Sequence, residues 1–416
     1  MASTLRQDAG RVLVVEPMSS GLAVPPLADS LGYEVVVASY DRDDRRLPDS
    51  VRPHVHRLLE IDTNDAATVS RVVADLHRER PFAGVVPGFE YYVPLASRLA
   101  AELGLPGLPV GSVRAVRDKV EMLARAEESG LRVPMWTPAA SEHEAVLAGA
   151  KVGYPCVLKP VGSSGSVHVT RADTEDDLVA AYRALVADDE LDLGRPLGGR
   201  VVVAEYVSGP EFSVEGYVTS DEVVVVSLTE KRLGPEPYFV ELGHIVQAEL
   251  EAGVRDRIGR YVRDVVCALG VTLGPFHCEL RLAGTEPVLI ELGARLGGDH
   301  IAELVRLATG VSLPHVMFAA YTGRPLDPTV PPFARYAGIR YLTAPAGMAR
   351  YRRLSGLDDV ARLPGVLSTG IEIPAGTPIP APSDGRCRLA YTIFVADSHD
   401  EALRTWRRIG EMVHCD

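Results

Sequence analysis

The chain has 416 residues and a formal net charge of −13, with 46% hydrophobic and 24% charged residues, the profile of a folded protein of two or three domains. The acidic balance argues against a surface built to track nucleic acid, though a local basic patch can survive it. Aliphatic runs no longer than Val223–Val226 predict no membrane-spanning helix, and five scattered cysteines without a Cys-x-x-Cys pair fit a reducing cytoplasm and no zinc site.

Residues 11–15 (RVLVV) predict a short buried strand, 17–21 a turn, 22–31 a helix and 34–38 the next strand. Another strand ends at Pro87-Gly88, and 93–103 has the apolar spacing of a helix closed by Gly104. Strands alternating with helices over this stretch imply a parallel α/β sheet. Pro106, Gly107, Pro109 and Gly111 mark a boundary. Residues 112–129 predict one helix carrying Lys119. Residues 155–160 (PCVLKP) predict a strand with Lys159 near its end, then the loop 162–166 (GSSGS), a strand at 167–170 and a helix at 174–187. Strands follow at 201–207, 212–218 and 223–229, a helix at 255–269, a hairpin at 275–293 and a helix at 299–309. The proline-rich stretch 325–333 marks a second boundary. Short strands and turns fill the rest, up to a helix at 399–413.

Several nucleotide and nucleophile motifs are absent. No lysine follows a glycine, so there is no Walker A loop, and no Gly-x-Gly spacing occurs, which removes the dinucleotide fingerprint and the kinase glycine loop. Neither Gly-x-Ser-x-Gly nor His-Glu-x-x-His is present. Only four of the 43 basic residues are lysine (Lys119, Lys151, Lys159 and Lys231), so a retained lysine points to a compact charge with a purpose.

Lys159 at a strand end, followed by Gly162, Ser163, Ser164, Gly165 and Ser166, can wrap an anion with backbone N–H groups; the alternative is a plain turn. Glu205-Tyr206-Val207 ends a strand whose free backbone groups can meet an adenine edge, with Glu211 beyond it for ribose hydroxyls; an ordinary strand edge reads the same way. In the hairpin, Phe276, Cys278, Leu280 and Leu282 face one way and His277, Glu279 and Arg281 the other. If Ala283 pairs with Pro287, Glu279 lies opposite Glu291, Cβ atoms ~4.5–5.5 Å apart. Two such carboxylates repel unless a cation lies between them, and hard oxygen ligands select Mg2+; two arginine-paired glutamates are the other reading. Arg295, with free amides near Gly297 and Gly298 at a helix start, can hold a carboxylate or developing oxyanion, or else pairs with an acidic neighbour. His277 projects toward the glutamates.

Together these segments resemble the ATP-grasp superfamily, specifically carboxylate–amine ligases of the L-amino acid ligase (dipeptide synthetase) type. The resemblance runs through RDKVEMLARAEESGLRVP, YPCVLKPVGSSGSVHV, VVVAEYVSGPEFSVEGYV, LTEKRLG, GPFHCELRL and EPVLIELGARLGGDH. It implies an α/β ATP-grasp fold with an N-terminal parallel pre-ATP-grasp domain (1–111), a central subdomain with a phosphate-covering loop (112–200) and a C-terminal subdomain with the metal site and an α+β extension (201–416). It implies ATP bound by Lys119, Lys159, the loop Ser163–Ser166, the hinge Glu205, Tyr206 and Val207, and Glu211. It places Mg2+, with Mn2+ as a substitute, on Glu279 and Glu291, and chemistry at Lys231, His277, Arg295 and Gly298. Gly293 stands where much of the superfamily has asparagine, and His277 stands where D-alanine–D-alanine ligases have arginine. The expected activity is amide formation between a carboxylate and an amine, both small molecules, through an acyl phosphate, in a cytoplasmic homodimer without nucleic acid or membrane partners. Other ATP-grasp ligases, of purine-pathway or carboxylase type, and a non-catalytic nucleotide binder are the alternatives.

Overall fold

A computed structural model describes residues 10–188, 192–220, 222–345, 347–381 and 383–416. The N-terminal sheet is parallel and four-stranded, in the order Arg57–Glu60, Glu34–Ser39, Arg11–Val15, Phe82–Pro87. The valine-rich central strands are buried because helices cover both faces, which is why they read as continuous apolar runs. Strand order reverses beside Arg11–Val15, so the loops after it and after Phe82–Pro87 frame the crevice where open α/β sheets bind ligands. The two loops touch. Met18 N donates to Gly88 O at 3.1 Å, and a Cβ on Gly21 would lie 1.8 Å from that oxygen, so only glycine fits.

A four-stranded antiparallel sheet follows, in the order Trp136–Ala139, Val201–Glu205, Cys156–Pro160, Thr170–Ala172. An eight-stranded antiparallel sheet runs Glu286–Gly293, Gly274–Ala283, Glu211–Val218, Val223–Leu233, Glu241–Val246, Tyr336–Thr343, Arg388–Ala396, Val366–Ile371. The strands predicted at its near end continue into C-terminal strands of eight and nine residues, longer than the short ones expected.

Three predicted elements differ. The helix expected over 112–129 is two helices, Val110–Val113 and Lys119–Glu128. The Asp118 carboxylate accepts from Val120 N and Glu121 N, starting a new helix and making Lys119 its first residue. The strand expected at 167–170 starts at Thr170, because Ser166 and His168 adopt positive φ and prolong the loop. The helix expected from 299 starts at Ile301, since Asp299 and His300 are left-handed, so Gly298 lies three residues before it.

The hairpin Gly274–Gly293 packs Phe276, Cys278, Leu280 and Leu282 into the core beneath the sheet, the face the alternation predicts. Leu280 is fully buried directly after Glu279. Leu280→Ala should therefore cost about 2–5 kcal/mol of unfolding free energy, measured by denaturant titration; a loss under about 1 kcal/mol would show that this strand is not packed as described.

Candidate functional site

Fifteen of the sixteen predicted site residues line one cleft between the antiparallel sheets: Lys119, Lys159, the loop Ser163–Ser166, the hinge Glu205–Val207, Glu211, His277, Glu279, Glu291, Arg295 and Gly298. Lys231 lies just beneath. Val157, Val169, Phe239 and Ile290 give the cleft an apolar wall, suited to a flat ring.

The two glutamates sit opposite each other, Glu279 against Glu291. The turn expectation fails: Ala283 pairs with Glu286, and Leu282 with Pro287. A bulge at Ile290 inserts one residue and restores the Glu279–Glu291 pairing. Lys231 Nζ, with its side chain 2% exposed, lies 2.8 Å from Glu211, 2.8 Å from Glu241 and 2.9 Å from Glu279. Burial opposes its charge, but the three carboxylates outweigh burial and hold the ammonium protonated, its pKa well above the ordinary value. Burial likewise opposes ionised Glu279, yet Lys231 and His277 keep its pKa well below the carboxylate range. Lys119 Nζ is 3.1 Å from Glu291 and donates to Ser163 O at 2.9 Å. Lys159 is less well compensated, because the nearby Glu211 and Glu291 only partly offset its burial. Burial and the nearby Lys119 charge lower its pKa to about 8.

His277 is held from both sides, Nδ1 at 3.0 Å from Glu215 and Nε2 at 3.1 Å from Glu279. Glu215 is fully buried and also accepts from Ser213, Ser227 and Thr229. Burial disfavours the imidazolium, but the two carboxylates lift its pKa to about 9. The charged ring thus orients Glu279. Glu211, expected to meet ribose, lines the cleft with its oxygens engaged by Lys231 and by Arg281 Nε at 2.9 Å. Arg281 also donates to Val207 O at 3.0 Å.

Arg295 does pair with an acid. It and Arg117 both bind the buried Glu90, which lies on the loop after Phe82–Pro87. Burial alone would raise the Glu90 pKa, but the two guanidinium groups bring it to about 2. Arg117 also donates to Gly162 O at 2.8 Å, so the arginine in the cleft, the N-terminal loop and the serine loop are linked through one carboxylate. Beyond Arg295 and Gly298 the cleft meets a second cavity lined by Met18, Ser19, Ser20, Phe89 and Met317, at the crevice predicted by strand order.

Sequence reasoning missed Glu241, Arg281 and Asp299, and it offered Glu90 only as one of four N-terminal loop residues, with Ser19, Ser20 and Tyr91, that can line a substrate pocket, without its pairing to Arg295. Arg281 had a signal, since it shares a face with Glu279. The others meet the site through distant contacts that no local pattern encodes. Glu241, His244 and Asp299 bring ligand atoms within 4.8 Å of one another. Lys231 neutralises Glu241, and the Arg388 fork holds Asp299 at 2.5 and 2.7 Å, so the cluster balances its charge internally.

Three family models match the chain: an ATP-grasp N-terminal domain over residues 27–107, an ATP-grasp domain over 152–303 and an L-amino acid ligase C-terminal domain 2 over 340–415. The chain is an ATP-grasp protein. The structure of an L-amino acid ligase from Bacillus licheniformis superposes on this ATP-grasp chain with a TM-score of 0.82, 24% identity and 99% coverage of both chains. The biotin carboxylase domain of Hydrogenobacter thermophilus 2-oxoglutarate carboxylase, solved with MgADP, ADP and bicarbonate, gives a TM-score of 0.71 at 17% identity, covering 97% of this chain and 90% of that one. A formate-dependent phosphoribosylglycinamide formyltransferase of Burkholderia vietnamiensis is 29% identical over 79% of each chain.

Below the cleft, buried His244 lies 3.2 Å from Glu241 and 3.1 Å from Asp299. Burial disfavours its charge, yet these partners raise its pKa to about 9. Its stabilising contribution is therefore complete below about pH 6.5 and lost as pH rises through about 9. Denaturation of wild type and His244→Asn across pH 6–10 should show their stability difference shrinking over that window. A gap constant with pH would show that the imidazole is neutral in the folded chain.

Proposed function

We propose that this protein is an ATP-dependent ligase that joins the carboxylate of an amino acid to an amine, releasing ADP and phosphate. One observation carries the reading: Glu279, Glu291, Lys119, Lys159 and Arg295 converge on a single cleft that opens, past Gly298, into the crevice of the N-terminal sheet. The L-amino acid ligase model over the C-terminal residues supports the choice of substrate class.

In this reading the adenine packs against the apolar wall beside Glu205–Val207, and Lys119, Lys159 and the Ser163–Ser166 loop hold phosphates. The residues fit Mg2+. Glu279 and Glu291 offer opposed hard oxygen donors, while His277 and Lys231 fix Glu279 in its charged form. Bound Mg2+ supplies neutralisation of the phosphate charge. Arg295, positioned by Glu90, binds the substrate carboxylate where it meets the γ-phosphoryl. Attack of that carboxylate gives an acyl phosphate, and the amine then displaces phosphate. The Arg295 guanidinium stabilises the oxyanion of the second step. The serine loop, tied to Arg117 and Tyr91, excludes water from the acyl phosphate. No side-chain nucleophile is required, in keeping with the missing serine and cysteine motifs.

A second reading rests on the similarity to the formate-dependent formyltransferase, in which formate is the carboxylate. The deciding experiment is phosphate release from Mg-ATP with each amino acid alone, with pairs, and with formate plus phosphoribosylglycinamide, followed by mass spectrometry. The expected product is lighter than two amino acids together by one water. A formylated product instead would select the second reading. Glu291→Ala should cut ADP formation by roughly 10²–10³-fold or more with an unchanged circular dichroism spectrum; full turnover would remove Glu291 from the metal site.

The lowered Lys159 pKa makes a further prediction. At pH 8 its ammonium is about half ionised, and phosphate oxygens beside it raise that pKa, so nucleotide binding should take up about half a proton. Calorimetry in buffers of different ionisation enthalpy reads this directly. Identical heats in all buffers would place Lys159 away from the phosphates.

A further inference from the structure

We propose that a groove beside the serine loop binds a small oxyanion carrying two or more negative charges. The groove has a volume of about 720 Å³ and lies between the helix Val93–Leu103, the segment before Lys119 and residues 192–200. Gly162 and Ser163 form part of its wall, and Ser163 also lines the nucleotide cleft. The two spaces thus share Ser163 of the loop.

The charge of the groove runs against the charge of the chain. The protein carries −13 overall, yet Arg98, Arg114, Arg117, Arg195 and Arg200 converge here. The two acids among the described lining residues are engaged within the fold. Asp118 caps the helix that begins at Lys119, and Asp192 accepts from the Tyr91 hydroxyl. Arg117 is held by Glu90 and Gly162 O. The remaining guanidinium groups are weakly compensated. Arg114 reaches Glu121 only at 3.9 Å and Arg200 reaches Asp118 only at 3.7 Å. Arg195 donates to Tyr91 O at 3.3 Å. Arg98 has no hydrogen-bond or ion-pair partner among the described residues.

Uncompensated charge in a concave wall raises the local concentration of anions. Guanidinium forks match phosphate and carboxylate oxygens in pairs. The volume is that of a small-molecule site, larger than a lone ion needs. Phosphorylated metabolites and polycarboxylates share the required chemistry. Such a ligand, bound against Gly162 and next to Arg117, would act on the loop and so would adjust the affinity for nucleotide.

Isothermal titration of the full chain with tripolyphosphate and, separately, with citrate tests the site. The titrations use about 50 mM salt, with the nucleotide cleft filled by Mg2+ and a non-hydrolysable ATP analogue. A repeat with Lys159→Ala covers binding in the cleft by a second route. We expect one site per chain in both settings, weakened tenfold or more in the exposed double variant Arg98→Ala/Arg200→Ala, with analogue binding and melting temperature unchanged. Binding of tripolyphosphate alone would assign a phosphorylated ligand, binding of citrate alone a polycarboxylate. The proposal is overturned if neither probe binds, if the analogue displaces both probes, or if the double variant binds as wild type does. The test requires no turnover, so its outcome is independent of the ligase reading.

Discussion

The cleft depends on one buried ammonium. Lys231 sits among carboxylates from three other strands of the large sheet: Glu211, Glu241 and Glu279. Taking such a charge out of water costs several kcal/mol, and only close opposite charges offset it. Removing any of these partners leaves charge stranded. The cluster also fixes register. A slip of one residue in any of the four strands would turn its charged side chain toward the apolar core, so the same contact that balances the charge aligns Glu279 with Glu291 one strand away. The carboxylates nevertheless outnumber the ammonium; Arg281, His277 and His244 share the surplus, and Lys119 meets Glu291 opposite.

The hairpin shows how much of this was legible in the sequence and where legibility stopped. Period-two alternation assigned Phe276, Cys278, Leu280 and Leu282 to the core and His277, Glu279 and Arg281 to the cleft, and the structure agrees. The opposition of Glu279 and Glu291 was reached through a turn register that is wrong by one residue. The bulge at Ile290 supplies the missing residue. Nothing in the local composition announces it, because Ile290 is a good strand residue and no glycine marks the place. The bulge follows from the demand that two carboxylates share one face while the apolar residues after the turn stay buried, a constraint set by the assembled sheet. The split of 112–129 is a different case. Asp118 is a strong helix cap, and reading it as one would have placed Lys119 at a helix start.

Residues close in sequence to a motif could be given roles; those that reach it from elsewhere could not. Glu90, expected on a pocket-lining loop but with no role, is the clearest example. It lies on a loop of the first sheet, two hundred residues before its partner Arg295, and its role rests on two guanidinium groups meeting one buried carboxylate. Its neighbour Tyr91 accepts from Ser164 of the serine loop. The N-terminal sheet therefore contributes more than a crevice. It carries the group that aims Arg295 and the ring that anchors the loop, so the positions of Arg295 and of the loop are set by a single short segment.

The C-terminal strands complete the cleft in the same manner. The large sheet runs without interruption from Glu286–Gly293 to Val366–Ile371, which puts Arg388–Ala396 within reach of the loop after Arg295. Arg388 grips Asp299 with both guanidinium nitrogens, Asp299 faces His244, and His244 faces Glu241, which meets Lys231. The alternation of positive and negative groups runs from a C-terminal strand to the carboxylate opposite Glu291. Asp299 is the link that matters most, because its backbone is left-handed at φ 52° and its side chain borders both the cleft and the crevice. A left-handed aspartate holds that conformation at some cost, and the Arg388 fork provides the compensation. The region matched by the L-amino acid ligase C-terminal model thus acts on the cleft through a salt bridge, fixing the part of its wall that Asp299 forms.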